Sequence, residues 1–176
     1  GAFPVFEYAQ VDGLIYGLDA RVSAELNEDW RTMLDYSWIR GTERNTDKGL
    51  LGVPSDRVNF TLEHIITTKG VFNEVNLEAG FHHVFERQGL LLDNNDYPNR
   101  TEDSALQGQD FLPPPRSYTL FSAGAKTKMA FGGTSLVIAV DVDNILDTNY
   151  RDYLDRLRYF ADARGRELRT TLTWRF

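Results

Sequence analysis

The side chains best suited to chemistry are three histidines, one run of acids and amides, and one pair of aspartates. His82 and His83 are adjacent, so on a strand they point to opposite faces and cannot share an ion without a bulge. His64 falls on an apolar register, where an interfacial position is the plain explanation, and no metal site is expected. Asp93-Asn94-Asn95-Asp96 offers oxygen ligands suited to Ca²⁺. It lacks the glycine and distal glutamate of an EF-hand loop, so a solvated turn is expected. Asp141 and Asp143 share a strand face, and balance by Arg169 or Arg175 on the last strand explains them better than acid–base catalysis. There is no Gly-x-Ser-x-Gly elbow, no phosphate loop and no plausible Ser-His-Asp set. Neither an enzyme activity nor a cofactor is expected. Asn59-Phe60-Thr61 and Asn99-Arg100-Thr101 match glycosylation sequons, but such short matches arise by chance and the first lies in a strand. Tyr150, Arg151, Asp152, Tyr153, Asp155, Arg156, Arg158 and Tyr159 form an aromatic, charged stretch suited to touching a ligand. Salt-bridging within a solvated loop is the plainer reading of it.

The elements that must carry these residues alternate with period two, the mark of half-buried strands. Leu14, Tyr16, Leu18, Ala20, Val22, Ala24 and Leu26 share one face, against Gly17, Asp19, Arg21, Ser23 and Glu25. After Asn27-Glu28-Asp29, Trp30, Thr32, Leu34, Tyr36 and Trp38 oppose Arg31, Met33, Asp35 and Ser37, which makes a hairpin. Val58, Phe60, Leu62 and Ile66 oppose Arg57, Asn59, Thr61 and Glu63. Past Lys69-Gly70, Val75, Leu77, Ala79, Phe81, His83 and Phe85 oppose Glu74, Asn76, Glu78, Gly80 and His82. A further strand is expected from Phe121, turning at Ala130 to Gly133 into Leu136, Ile138, Val140 and Val142. The last runs from about Glu167, with Leu168, Thr170, Leu172, Trp174 and Phe176 on one face and Arg169, Thr171, Thr173 and Arg175 on the other. Val5 to Tyr8 reads as the stub of one more. The expected fold is all-β, an antiparallel up-and-down meander of about seven or eight strands.

Connections alternate in length. Those near Asn27, Lys69 and Gly132 are short; those over Gly41 to Asp56, Gln88 to Arg116 and Asp147 to Gly165 are long and polar. Short turns at one end and long loops at the other are the outer-membrane barrel pattern, with Phe176 at the periplasmic end. The polar face mixes both signs of charge, as a wet lumen does: Asp19, Arg21, Asp35, Glu63 and Asp143 are the lumen-facing candidates. Tyr16, Trp30, Trp38, Phe85 and Trp174 lie near strand ends on the apolar face, where interfacial girdles sit.

Composition limits the alternatives. The 176 residues include no Cys, so disulfides play no part, and the net charge of −7 with no basic stripe argues against a nucleic-acid partner. No stretch approaches the ~20 apolar residues of a spanning helix, which leaves barrel strands open. The start, Gly1-Ala2-Phe3-Pro4, carries no signal peptide, so the chain is expected to be mature or an excised piece.

The stretch Asp143-Asn144-Ile145-Leu146-Asp147, then Tyr150-Arg151, Gly165-Arg166 and the terminal Phe176, resembles the C-terminal signature of TonB-dependent outer-membrane receptors. Tyr16 to Asp19 similarly resembles a strand opening of that family, and Arg158 to Asp162 resembles its Bacteroidetes-type members. The resemblance implies a barrel of about 22 strands with a plugged lumen. Residues 1–176 would then be the C-terminal segment of that barrel, without signal peptide, plug or N-terminal strands. It further implies uptake of a scarce nutrient (an iron–siderophore, haem, cobalamin or similar) across a Gram-negative outer membrane. The partners it implies are lipid, the plug of the same full-length chain, and inner-membrane TonB through the absent N-terminal region. Leu172, Trp174 and Phe176 would be the signal read by the barrel-assembly machinery. The rival reading is a soluble lipocalin-like barrel that binds a small ligand with its apolar face inward.

Overall fold

A computed structural model describes residues 10, 12–45, 49–87, 114–131 and 133–176. The strands are β1 (Gly13–Glu25), β2 (Trp30–Glu43), β3 (Arg57–Thr67), β4 (Phe72–Val84), β5 (Tyr118–Phe131), β6 (Thr134–Asp143) and β7 (Glu167–Arg175). They make one seven-stranded sheet in sequence order, every neighbouring pair antiparallel. A 3₁₀ turn at Arg156–Tyr159 interrupts the β6–β7 connection. The Val5–Tyr8 stub, the Asp93–Asp96 run and the Asn99–Thr101 sequon lie outside the described residues.

Because side chains alternate and partners face each other across a ladder, each row of the sheet carries one chemistry from strand to strand. One row reads Val22, Leu34, Phe60, Phe81, Phe121. Another reads Glu25, Arg31, Glu63, Glu78, Gly124, Asp141, Arg169, polar throughout. A slip of one residue would interleave the two, so burial of either face specifies the register. Asn27 closes the β1–β2 hairpin: its Oδ1 accepts from the amides of Asp29 and Trp30 at 2.9 and 3.0 Å.

Three strand limits differ from those expected. β2 continues through Gly41 to Glu43, paired to Gly13 across β1. β5 starts at Tyr118, where Leu120 on the polar face hides the alternation. Ala130 and Phe131 remain in the ladder with Ser135 and Thr134, which shortens the expected turn.

The sheet is a single layer. Val53 and Val84 are the buried apolar residues among those described, while Leu172 and Trp174 are 67% and 71% exposed. A sheet normally hides its apolar face against a second layer. Among the described residues no second layer covers that face. The edges are open too: β1 and β7 are each paired on one side only among the described residues.

Candidate functional site

The polar face is hollowed into troughs. One, about 640 Å³, is lined by Glu63, Glu74, Glu78, Lys126, Asp141 and Arg175, with neighbours from β3 to β7. A second, about 510 Å³, lies against Asp19, Arg21, Asp35, Ser37, Arg57 and Asn59. The five residues expected to face a lumen therefore share the hollowed face. Arg21 Nε meets Asp35 Oδ1 at 2.5 Å, the Ser37 hydroxyl donates to Asp19 at 2.5 Å, and Arg169 meets Asp143 at 3.1 Å. Glu63 stands opposite Arg31 and Glu78.

The histidines divide as their parity requires. His82 lies on the polar face, its Nδ1 2.5 Å from Asn59 Oδ1, and His83 lies on the other face, 2.8 Å from the Thr119 hydroxyl. His64 stacks on Trp30 at 4.2 Å, close to the short turns. Among the described residues no group of three or more His, Cys, Asp or Glu could hold a metal ion.

The motif residues after β6 act together on the loop. Asn144 is buried, with φ at +50°, a conformation Asn tolerates better than most residues. Its amide group donates to the Thr148 carbonyl and accepts from the Thr148 amide, both at 2.9 Å, closing a compact turn. Asp147, also left-handed at φ +54°, accepts from the Arg166 amide at 2.8 Å and so ties the loop's start to its end. Gly165 permits this contact: a Cβ there would lie 2.6 Å from Asp147 Oδ1. Leu146 is exposed and packs on little.

Farther along, the Tyr150 and Tyr118 rings lie 4.5 Å apart, and the Tyr118 hydroxyl donates to Asp152 at 3.0 Å. Burial, with Asp152, Asp143 and Asp155 adding, raises the Tyr150 pKa above its ordinary value. Arg151 pairs with Asp162 at 2.6 Å and donates to the Arg158 carbonyl, while the buried Arg158 guanidinium lies 5.2 Å over Tyr153. The aromatic, charged stretch is thus a loop bound to itself and to β5. It leaves hollows of about 560 Å³ on its His82 and Asp143 side and about 490 Å³ on its Arg116 and Glu86 side.

Sequence reasoning missed a second cluster at the long-loop rim. Arg40, on the apolar face, is held by both oxygens of Asp56 and lies 5.0 Å over Trp38, which packs edge-on against Tyr16. Arg87, buried just past β4, donates to the Ile39 carbonyl at 3.2 Å; burial and then Arg40 press its pKa down. An Arg two residues from a Trp in an apolar register was the available signal.

No family model and no curated protein matches the sequence. Among solved structures the chain is similar to the copper transporter OprC, with a TM-score of 0.69 at 18% identity, over 92% of this chain and 23% of that one. The chain thus spans about a quarter of that neighbour's length. Such a likeness is one of fold. It agrees with the all-β antiparallel meander read from the alternation, here with seven strands.

Proposed function

We propose that this chain is wall from the C-terminal part of the barrel of a TonB-dependent outer-membrane receptor, in a Gram-negative bacterium of Bacteroidetes type. One observation carries the reading: among the described residues a single sheet has a polar hollowed face, an apolar face that no second layer covers, and two buried apolar side chains. In water such a sheet would leave its apolar rows solvated. In a bilayer the same rows face hydrocarbon while the lumen stays wet. Trp30, His64 and Trp174 near the short turns, and Tyr16, Trp38 and Phe85 near the long loops, supply two aromatic belts. A lipocalin-like barrel needs the opposite arrangement, with apolar side chains lining the hollow.

In this role the wall performs no chemistry. It encloses an aqueous path, and its paired charges keep that path hydrated without presenting strong binding sites. Energy arrives through TonB, which acts on a region N-terminal to these strands, and the plug of the same protein fills the lumen. Leu172 and Trp174 point away from the polar face, and with Phe176 they stay exposed, which suits a signal for the barrel-assembly machinery. The cargo is a scarce nutrient: an iron–siderophore, haem, cobalamin or similar, with copper added to the set because the neighbouring fold transports it.

The test uses the full-length protein. It is expected in the outer-membrane fraction, to need detergent for solubility, and to change gel mobility on heating as closed barrels do. Recovery as a soluble monomer without detergent would overturn the reading.

A further inference from the structure

Two apolar residues of the β2–β3 connection lie against the polar face, at its long-loop end. Gly13 and Gly41 share the parity of Asp19, Arg21, Asp35 and Ser37, so a side chain at either would stand on that face. A Cβ on Gly13 would lie 2.8 Å from Leu50 Cδ1. One on Gly41 would lie 2.8 Å from Val53 Cγ2 and 3.3 Å from Leu50 Cβ. The two glycines are therefore flat seats, and a side chain at either must lift the connection off the wall. Val53 is buried in its seat. The wall beside the seats is apolar too, with Ile15 opposite Gly41 and Ile39 opposite Gly17.

The backbone fastens this piece at both ends. Gly49 bridges to Thr42, and the Leu50 amide donates to the Gly41 carbonyl at 2.9 Å. At the other end both carboxylate oxygens of Asp56 hold Arg40, and the Asp56 carbonyl accepts from the Phe85 amide at 2.9 Å. Gly52, at φ +75°, supplies the left-handed bend between the two anchorages. The piece is thus rooted on β1, on β2 and on the residue after β4. We infer that residues 49–56 form a fixed shelf over the β1–β2 wall. It narrows the outer mouth of the lumen there, so that only small solutes reach the hollow of about 510 Å³ against Asp19, Arg21, Asp35 and Ser37. The shelf selects by size, and it does so by staying seated rather than by opening as a lid. This rests on the receptor reading above, because only a closed barrel turns the polar face into a lumen.

The experiment labels a single cysteine below the shelf, in the full-length protein on intact cells. Residues 1–176 contain no Cys, and Ser37→Cys places one on the polar wall opposite Asp19. A small water-soluble maleimide is expected to react readily, and one carried on a bulky polyethylene glycol chain slowly. Leu50→Ser/Val53→Ser leaves both strands untouched. It is expected to speed the bulky reagent about tenfold, the rise in open population that losing about 1.4 kcal/mol of seating gives. Gly41→Val should act likewise from the wall side, while Leu146→Ser, at an exposed site on another loop, should change nothing. Heat-dependent gel mobility reports an intact barrel, and if Gly41→Val does not assemble the serine variant decides. Equal reaction of both reagents with the shelf intact overturns the inference. So does a bulky-reagent rate that the shelf variants leave unchanged, or that Leu146→Ser raises equally. Failure of the small reagent also overturns it, by showing that something other than the shelf closes this wall. Labelling by a lipid-soluble maleimide alone puts Ser37 in hydrocarbon, and then the receptor reading itself fails.

Discussion

Asp147 and Gly165 meet across the neck of the β6–β7 loop, Asp147 Oδ1 lying 2.6 Å from the position a Cβ on Gly165 would take. The same oxygen accepts from the Arg166 amide at 2.8 Å. A methyl group at position 165 must displace the carboxylate. Gly165→Ala is expected to cost about 1 kcal/mol of loop closure, the net worth of an exposed hydrogen bond. Hydrogen exchange at the Arg166 amide checks this, and Asp147→Ala in the same background should add little, since both changes remove one contact.

Phe81 lies in the middle of the Phe60–Phe81–Phe121 row, with ring centroids 5.6 and 6.3 Å from its neighbours. Thr61, one residue from that row, faces the polar side opposite Gly80. Phe81→Arg should destabilise the full-length barrel by roughly 2–4 kcal/mol, whereas Thr61→Arg should be tolerated. Urea unfolding in lipid vesicles measures both. Equal costs would mean that the two faces meet the same environment.

The Tyr150 pKa is raised chiefly by burial, then by the carboxylates of Asp152, Asp143 and Asp155. In an opened loop its phenol loses its proton near pH ~10, earlier than in the docked loop. The docked form therefore binds the proton more tightly, and the stability it contributes is complete below about pH 10 and lost as pH rises through the raised value. Phenolate absorbance, compared between the protein and Tyr150→Phe, should show this tyrosine titrating after the exposed ones. Loop protection from protease should fall over the same range.

Alternation made the sheet legible. Leu14 to Leu26 and Trp30 to Trp38 each announce a strand, and the short Asn27 turn fixes their pairing. Where a strand carries an apolar residue on its polar face, as β5 does at Leu120, its start was hidden. Ion-pair partners across adjacent strands were half legible, because parity places Asp143 and Arg169 on one face. Their meeting is diagonal, since Asp141 is the residue directly opposite Arg169. The loop was legible as a motif and not as a geometry. What Asp147 and Gly165 do for each other depends on how the chain returns between them, and no local pattern encodes that path.

Each strand packs chiefly on the strands before and after it in sequence. The sheet is therefore close to a one-dimensional chain of interfaces, with a stability that sums over neighbours as in repeat proteins. A wall of this kind can gain or lose a whole hairpin at an edge while every remaining ladder keeps its register. Circumference becomes a quantity that duplication or deletion can change in steps of two strands.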